Sequence, residues 1–455
     1  MPFWTYILRC ADASYYVGHT DDLEQRIAQH ERGLFPGYTH TRRPVKLVFS
    51  GEFGSRIEAL EFERQIKGWS RAKKEALISG NIPRLRSLGH VSPRKRMSLL
   101  ERAHTEAPSS GSGRTGALTA GKLPQQLLAE LLATVSHRDP RVLVGPGIGR
   151  DAAVIDAGGP RLLVAKTDPI TFASDLIGWY AVHVNANDIA CTGGTPAWFL
   201  ATTLLPEGCP RSLPGEILSQ MTKACDALGI ELVGGHTEVT LGLDRTIVVG
   251  SMLGEVEPER LVRPETARPG DAIILTKGIA IEGTGVLARE ATDALRTAGV
   301  PAKALKRAAK YITDPGISIV GEAEAACDAT TVHAMHDPTE GGLATALREL
   351  AEVCGCGVQV EREAIVVLPE TRLVCDALGL DPFGLLASGA LLIAVAESDC
   401  ERVIVSIEER GVPAQRIGSL ADAAEGAIMM VNGKPEPLPA FDRDEVARFL
   451  SERPG

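Results

Sequence analysis

The stretch that most constrains this fold is Pro108-Ser109-Ser110-Gly111-Ser112-Gly113. It has no side chain able to fill a core, and Gly/Ser-rich chain behaves as a flexible coil, so the 455 residues are read as separate modules. Upstream, Pro83 closes a first domain, and Arg84, Arg86, Arg94-Lys95-Arg96 and Arg102 form a basic tract. Residues 81–123 are therefore expected to be a basic flexible linker, either simply solvated or adding electrostatic help to nucleic-acid binding. It separates a domain at 1–80 from a larger one at 124–455. The larger domain divides into halves at 124–262 and 263–455, the second opened by Pro269-Gly270-Asp271.

Charge supports this division. Residues 1–123 hold 20 Lys/Arg and 12 Asp/Glu, a balance of +8; subtracting from the whole-chain 48 and 58 leaves 28 and 46, or −18, for the rest. A basic N-terminal part suits nucleic acid, whereas an acidic remainder does not unless metal ions intervene. No basic region followed by an apolar core opens the chain, and the longest apolar run, near 383–396, is too short for a bilayer. The expectation is a globular protein with no membrane partner. Nine scattered cysteines without a zinc-like double pair point to reduced thiols and a cytoplasmic location, with Cys354-Gly355-Cys356 structural.

The first domain reads as strands at 4–9 and 15–18, a helix at 23–32, a strand at 45–50, and helices at 56–70 and 71–78, a small α/β unit. Tyr6 sits in Thr5-Tyr6-Ile7 and Tyr16 in Tyr16-Val17-Gly18. Arg26 and His30 stand four apart on one helix face, and Glu63 falls in the next helix. In their order and spacing these residues resemble the GIY-YIG nuclease family, with Thr5 where the family name has Gly. The resemblance implies a metal-dependent endonuclease in which Glu63 holds the metal and Arg26 the phosphate. Tyr6 and Tyr16 would handle the water, and His30 would assist proton transfer. The alternatives are strand tyrosines with satisfied hydroxyls, an Arg26–Glu63 surface pair, and a module that binds nucleic acid without cutting it.

In the larger domain, strands are expected at 152–155, 162–165, 196–205, 246–253 and 272–276. Helices are expected at 125–135, 179–191, 216–228, 302–310, 316–326, 343–353 and 400–409, giving α/β layers. Asp151 and Asp168 flank a strand pair and Asp188 falls in a helix. Carboxylates at turns and element ends are how proteins grip Mg²⁺, and the glycines before Asp151 would let backbone amides approach an anion. Taken alone, each aspartate reads first as a turn or cap residue.

The ordered set is larger: Gly121-Lys122-Leu123, Gly149 to Val154, Thr167-Asp168, Asn187-Asp188, Gly234-Gly235-His236-Thr237-Glu238, and His336-Asp337-Pro338-Thr339-Glu340-Gly341-Gly342-Leu343. Together these resemble the aminoimidazole ribonucleotide synthetase superfamily over nearly all of 121–430, most of all its hydrogenase-maturation dehydratase branch. The whole chain is thus α/β (α+β). The resemblance implies ATP bound at a site shared in a homodimer that pairs through residues 140–260. Asp151, Asp168, Asp188 and Asp337 would hold Mg²⁺ or Mn²⁺ against the phosphates. Gly149, Asn187, Gly234, Gly235, Glu238, Gly341 and Gly342 would complete the nucleotide site, the Gly341-Gly342 pair opening a helix whose N-terminal amides suit anions. Gly234-Gly235 and Gly341-Gly342 are otherwise tight turns.

The family implies that an oxygen of an unidentified small-molecule or protein acceptor is activated by phosphorylation. Arg150 departs by standing where many relatives have an acid, which would weaken one metal site. No cysteine lies between Cys10 and Cys191, against selenophosphate chemistry, and the last cysteine is Cys400. A self-modifying dehydratase that uses a C-terminal cysteine is therefore not expected. The competing reading is a nucleic-acid-binding module coupled to an ATP-sensing domain.

Overall fold

The computed structural model describes residues 3–78 and 123–451, apart from 13, 22, 33–37, 54–55, 124, 133–134, 136–138, 148–149, 172 and 174. The expected linker as far as the Gly121-Lys122 pair, and Gly149, thus lie outside the described residues. Two compact units are present, Met1–Ala117 and Leu118–Gly455.

The smaller unit is built on a three-stranded antiparallel sheet of β1 (Phe3–Arg9), β2 (Tyr15–Thr20) and β3 (Lys46–Phe53), in the order β2-β1-β3. Alternation along β1 sends Ile7 to one face and Tyr6 and Leu8 to the other, and all three are buried because both faces are covered. Ile7 packs with Phe49, Phe53, Phe62, Ile66 and Leu77 under the helices Arg56–Lys67 and Arg71–Ile78. Leu8 and Tyr6 pack with Val45, Leu23 and Ile27, the last two from the helix Leu23–Arg32. β3 runs past the expected end at Ser50: it pairs with β1 as far as Phe3↔Phe53, and the Phe53 ring lies 5.0 Å from that of Phe62. Core burial of Phe53 overrides the turn signal of Gly51.

The larger unit opens with a six-stranded sheet: β4 (Val142–Val144), β5 (Ala153–Ile155), β6 (Leu162–Ile170), β7 (Thr195–Pro206), β8 (Glu231–Thr240) and β9 (Ile247–Val256), in the order β4-β5-β6-β9-β7-β8. The helix Ile177–Cys191 lies on this sheet with fourteen of its fifteen residues buried. Two glycines permit the approach: a Cβ on Gly250 would fall 2.3 Å from Asn185 Nδ2, and one on Gly254 2.5 Å from Ile189 Cγ2. The second half adds a seven-stranded sheet from β10 (Ala272–Thr276), β11 (Ala334–His336), β12 (Gly357–Glu361), β13 (Leu392–Val395), β14 (Ala414–Ala421), β15 (Ala427–Val431) and β16 (Lys434–Pro437). Its order is β11-β13-β10-β14-β12-β15-β16.

Two expectations change here. β6 continues through Thr167-Asp168-Pro169 to Ile170, paired residue by residue with β9, so Asp168 is a strand residue. Beyond Ala165, where pairing with β5 ends, β6 has β9 alone as a neighbour, the edge setting in which proline is tolerated. Gly234-Gly235, open to reading as a tight turn, lies inside the ten-residue strand β8. A Cβ on Gly235 would meet the Ala201 carbonyl oxygen at 2.1 Å, so its glycine is required by close pairing with β7 beside a register shift.

Candidate functional site

In the smaller unit the strand register places Tyr6 directly opposite Gly18. A Cβ on Gly18 would stand 2.6 Å from Tyr6 Oη, so the motif glycine is the space over which the Tyr6 ring lies. Thr5, the departure in the first motif, donates its hydroxyl to the Ala59 carbonyl at 2.7 Å and ties β1 to the helix that carries Glu63.

Tyr6 Oη is 2.9 Å from His30 Nε2, and His30 Nδ1 is 2.8 Å from Thr39 Oγ1. Burial pushes the Tyr6 hydroxyl up to about 12, with Tyr16 adding to the rise and Arg26 opposing it. Tyr6 is therefore a hydroxyl donor, His30 Nε2 accepts from it, and Nδ1–H donates to Thr39. Burial, then the Arg26 charge, lowers the His30 pKa and keeps the ring neutral. The Tyr16 ring centroid is 5.0 Å from that of His30. Tyr6, Tyr16, Arg26 and His30 thus converge.

Glu63 is buried, and its oxygens lie 2.5 Å from His19 Nδ1 and 2.5 Å from Lys67 Nζ. That burial removes the surface-pair reading. His19 and Thr39 escaped the sequence reading because their partners are distant in the chain: His19 is 44 residues from Glu63.

In the larger unit Asp188 is buried in the helix Ile177–Cys191, facing β6. Lys166 Nζ, on β6, is 3.1 Å from Asp188 Oδ2 and 3.7 Å from Asp168 Oδ2. Burial alone would lower the Lys166 pKa; the carboxylates of Asp188, Asp168 and Asp151 outweigh it and hold the ammonium above its usual range. Burial pushes the Asp188 carboxyl up, Lys166 opposes, and Asp337, Asp151 and Asp168 add to the rise. Asn185 Nδ2 donates to the Asp168 carbonyl at 3.3 Å and pins the helix to β6 at this point.

Asp337 follows β11 directly and is buried, with Cys191 Sγ 3.7 Å from its Oδ1. His336 bridges two acids, Nδ1 to Asp151 at 3.1 Å and Nε2 to Glu349 at 3.0 Å. Burial disfavours its imidazolium, but Asp151 and Glu349 outweigh that and raise the His336 pKa well above its usual value. Asp151, His336 and Asp337 each offer a ligand atom, all within 4.8 Å of one another. Both nitrogens of His336 are already engaged by acids, which leaves the Asp151 and Asp337 carboxylates as hard oxygen donors of the kind that fits Mg²⁺ or Mn²⁺. Beside Asp151 a cavity of about 350 Å³ is lined by Arg150, Cys191, Arg263 and Glu265 among others. Arg150 pairs with Glu265 at 3.3 Å.

The remaining expected nucleotide contacts are placed differently. Both amide atoms of Asn187 are engaged by backbone: Nδ2 donates to Ile317 O at 2.8 Å, and Oδ1 accepts from Ile319 N at 3.0 Å. Its side chain positions that segment. Gly341, at φ 81°, caps the helix Gly342–Cys354, but its N–H donates to Asp444 Oδ2 at 2.8 Å, so a carboxylate of the chain already holds this amide. A Cβ on Gly342 would stand 2.4 Å from the Phe383 carbonyl oxygen. Gly234, Gly235 and Glu238 lie on β8, separated from β6 by β9 and β7, about 14 Å at ordinary strand spacing. Within one chain they do not share the carboxylate site. The nine cysteines are free, and burial pushes Cys354 up to about 12, which fits the structural reading of Cys354-Gly355-Cys356.

Among the described residues no helix is long and apolar enough to cross a membrane. Residues 2–76 match the GIY-YIG catalytic domain. Residues 149–256 and 268–431 match the N-terminal and C-terminal domains of AIR synthase related protein. The carbamoyl dehydratase HypE of Azotobacter vinelandii is 31% identical over 254 residues, covering 54% of this chain and 70% of that protein. A crystal structure of the hydrogenase maturation protein HypE is 27% identical with a TM-score of 0.55, covering 68% of this chain and 98% of its own. A HypE structure in complex with ATP shares the fold at 24% identity and a TM-score of 0.52, covering 72% of this chain and 98% of that one. The chain belongs to the AIR synthase related family, alongside the HypE hydrogenase-maturation proteins, and carries a GIY-YIG domain at its N-terminal end.

Proposed function

We propose a two-module enzyme: a metal-dependent endonuclease in the smaller unit and an ATP- and Mg²⁺-dependent enzyme of the HypE type in the larger. The observation that carries the second activity is the convergence of Asp151, Asp188 and Asp337 from three distant segments beside the cavity lined by Arg150 and Arg263. A divalent cation held by Asp151 and Asp337 would neutralise phosphate charge there. The reaction class is transfer of the γ-phosphoryl group to an acceptor oxygen, which turns a poor leaving group into phosphate. The expectation that set the dehydratase reaction aside is revised: the HypE relative is named a carbamoyl dehydratase, and eliminating an activated oxygen requires no cysteine from the same chain. Incubation with ATP, Mg²⁺ and amide or carbamoyl acceptors should give acceptor-dependent ADP. Failure to bind millimolar Mg·ATP by calorimetry would refute the reading.

The smaller unit supports cleavage through the Tyr6–His30–Thr39 chain, with Arg26 beside Tyr6. One observation favours binding without cleavage: His19 and Lys67 already engage the two oxygens of Glu63. The Glu63 substitution described in the Discussion separates these readings.

The larger unit is proposed to act as a homodimer through residues 140–260. β8 is an edge strand with Val233 and Val239 exposed by 53% and 59%. Exposed apolar edge strands invite pairing with another chain. Only such pairing would bring Gly234, Gly235 and Glu238 to a carboxylate site, that of the partner. Sedimentation at micromolar concentration should give a dimer, and Val239→Asp should shift it toward monomer while weakening nucleotide binding. A monomeric wild type with Mg·ATP present would count against the assembly.

A further inference from the structure

We propose that Lys166 takes the place of one divalent cation in the carboxylate site, so that each site binds a single metal ion and the Lys166 ammonium meets a nucleotide phosphate directly. This rests on the nucleotide reading above. The side chain is four-fifths buried, and its Nζ lies between Asp188 and Asp168, 3.1 Å and 3.7 Å from their oxygens. Two acids from different elements that would otherwise share a metal are thus already bridged by a cation of the chain. Lys166 and Asp168 stand two apart on β6, so strand alternation puts both on the face that meets the helix carrying Asp188. The ammonium cannot leave this arrangement by register slip, because β6 is paired with β9 on both sides of it.

The other carboxylates, Asp151 and Asp337, act on Asp188 through space but are not bridged by Lys166, and they have ligand atoms within 4.8 Å of each other. They are the pair left for a metal ion. Arg150 fits the same trend: a cation beside Asp151, paired to Glu265, adds positive charge at the rim of the cavity. A flexible ammonium with three donors can exchange one carboxylate for a phosphate oxygen without leaving the other. A site built this way needs one metal ion fewer to neutralise a triphosphate.

The test is a count of bound Mn²⁺ by electron paramagnetic resonance of the full-length chain carrying Glu63→Gln, which removes the metal-binding charge of the smaller unit and serves as wild type at position 166, with and without a non-hydrolysable ATP analogue. Wild type should bind one Mn²⁺ per site. Lys166→Met, which frees Asp168 and Asp188, should bind two, and Lys166→Arg should keep one. The methionine variant should also bind the analogue at least tenfold more weakly at one Mn²⁺ equivalent, with recovery as Mn²⁺ is raised. Two Mn²⁺ on wild type, one on Lys166→Met, or none on either would overturn the proposal. Failure of the analogue to bind a protein that still loads Mn²⁺ would instead refute the nucleotide reading, leaving the metal counts to judge Lys166. Circular dichroism confirms that each variant is folded before counting.

Discussion

Glu63→Gln should reduce cleavage of duplex or single-stranded oligonucleotides by about 10³-fold, while binding in the absence of metal changes little. The size follows from the chemistry: metal-assisted charge stabilisation contributes several kcal/mol, and about 4 kcal/mol is roughly three decades of rate. The substitution keeps shape and removes charge from a buried group whose partners are His19 and Lys67. Lys67 is more than half exposed and can turn to solvent, so the fold should tolerate the change. Gel assays across Mg²⁺ and Mn²⁺ concentrations, with filter binding in parallel, measure both quantities. Equal cleavage by wild type and variant would assign the activity to other residues or to a contaminant. Binding with no cleavage by either protein would make the module a nucleic-acid reader whose Glu63 is held by its own cations.

Asp337→Asn should leave the larger unit at least as stable without ligand and remove most of its stabilisation by Mg·ATP. Like charges crowded in a buried site disfavour one another's ionised forms, as the rise at Asp188 caused partly by Asp337 shows. Removing one charge relieves that crowding. Ligand at a hundredfold excess over Kd stabilises the native state by about 2.7 kcal/mol, a rise of about 4 °C in Tm for a unit of this size. Paired melting curves with and without Mg·ATP should show that rise for wild type and little for the variant. A variant that melts several degrees lower alone yet gains the full ligand-dependent rise would make Asp337 a structural aspartate, with its Cys191 contact as the cause.

Much of the architecture was legible because its signals are local. Alternation in Thr5-Tyr6-Ile7-Leu8 marks β1, the Leu23–Arg32 helix follows from its acidic start, and the Gly341-Gly342 pair opens a helix. Ordered motifs are equally local, and they sufficed to name both families. Local signals misjudged β6 and β8. Asp168-Pro169 and Gly234-Gly235 carry turn chemistry, yet pairing with β9 and β7 holds them extended. The residues expected to act were largely visible as types at given positions. What surrounds them was decided only by the tertiary structure, because an electrostatic partner is set by distance in space. Lys166 reaches Asp188 across a helix–sheet interface, His336 joins Asp151 from 185 residues away, and Asp444 takes the Gly341 amide from 103. The order of its motifs determined the resemblance to the AIR synthase related family, which implied that its carboxylates and glycines form a nucleotide site. The packing of the buried helix against β6 decided which charges face one another, because Lys166 and Asp188 meet only across that interface.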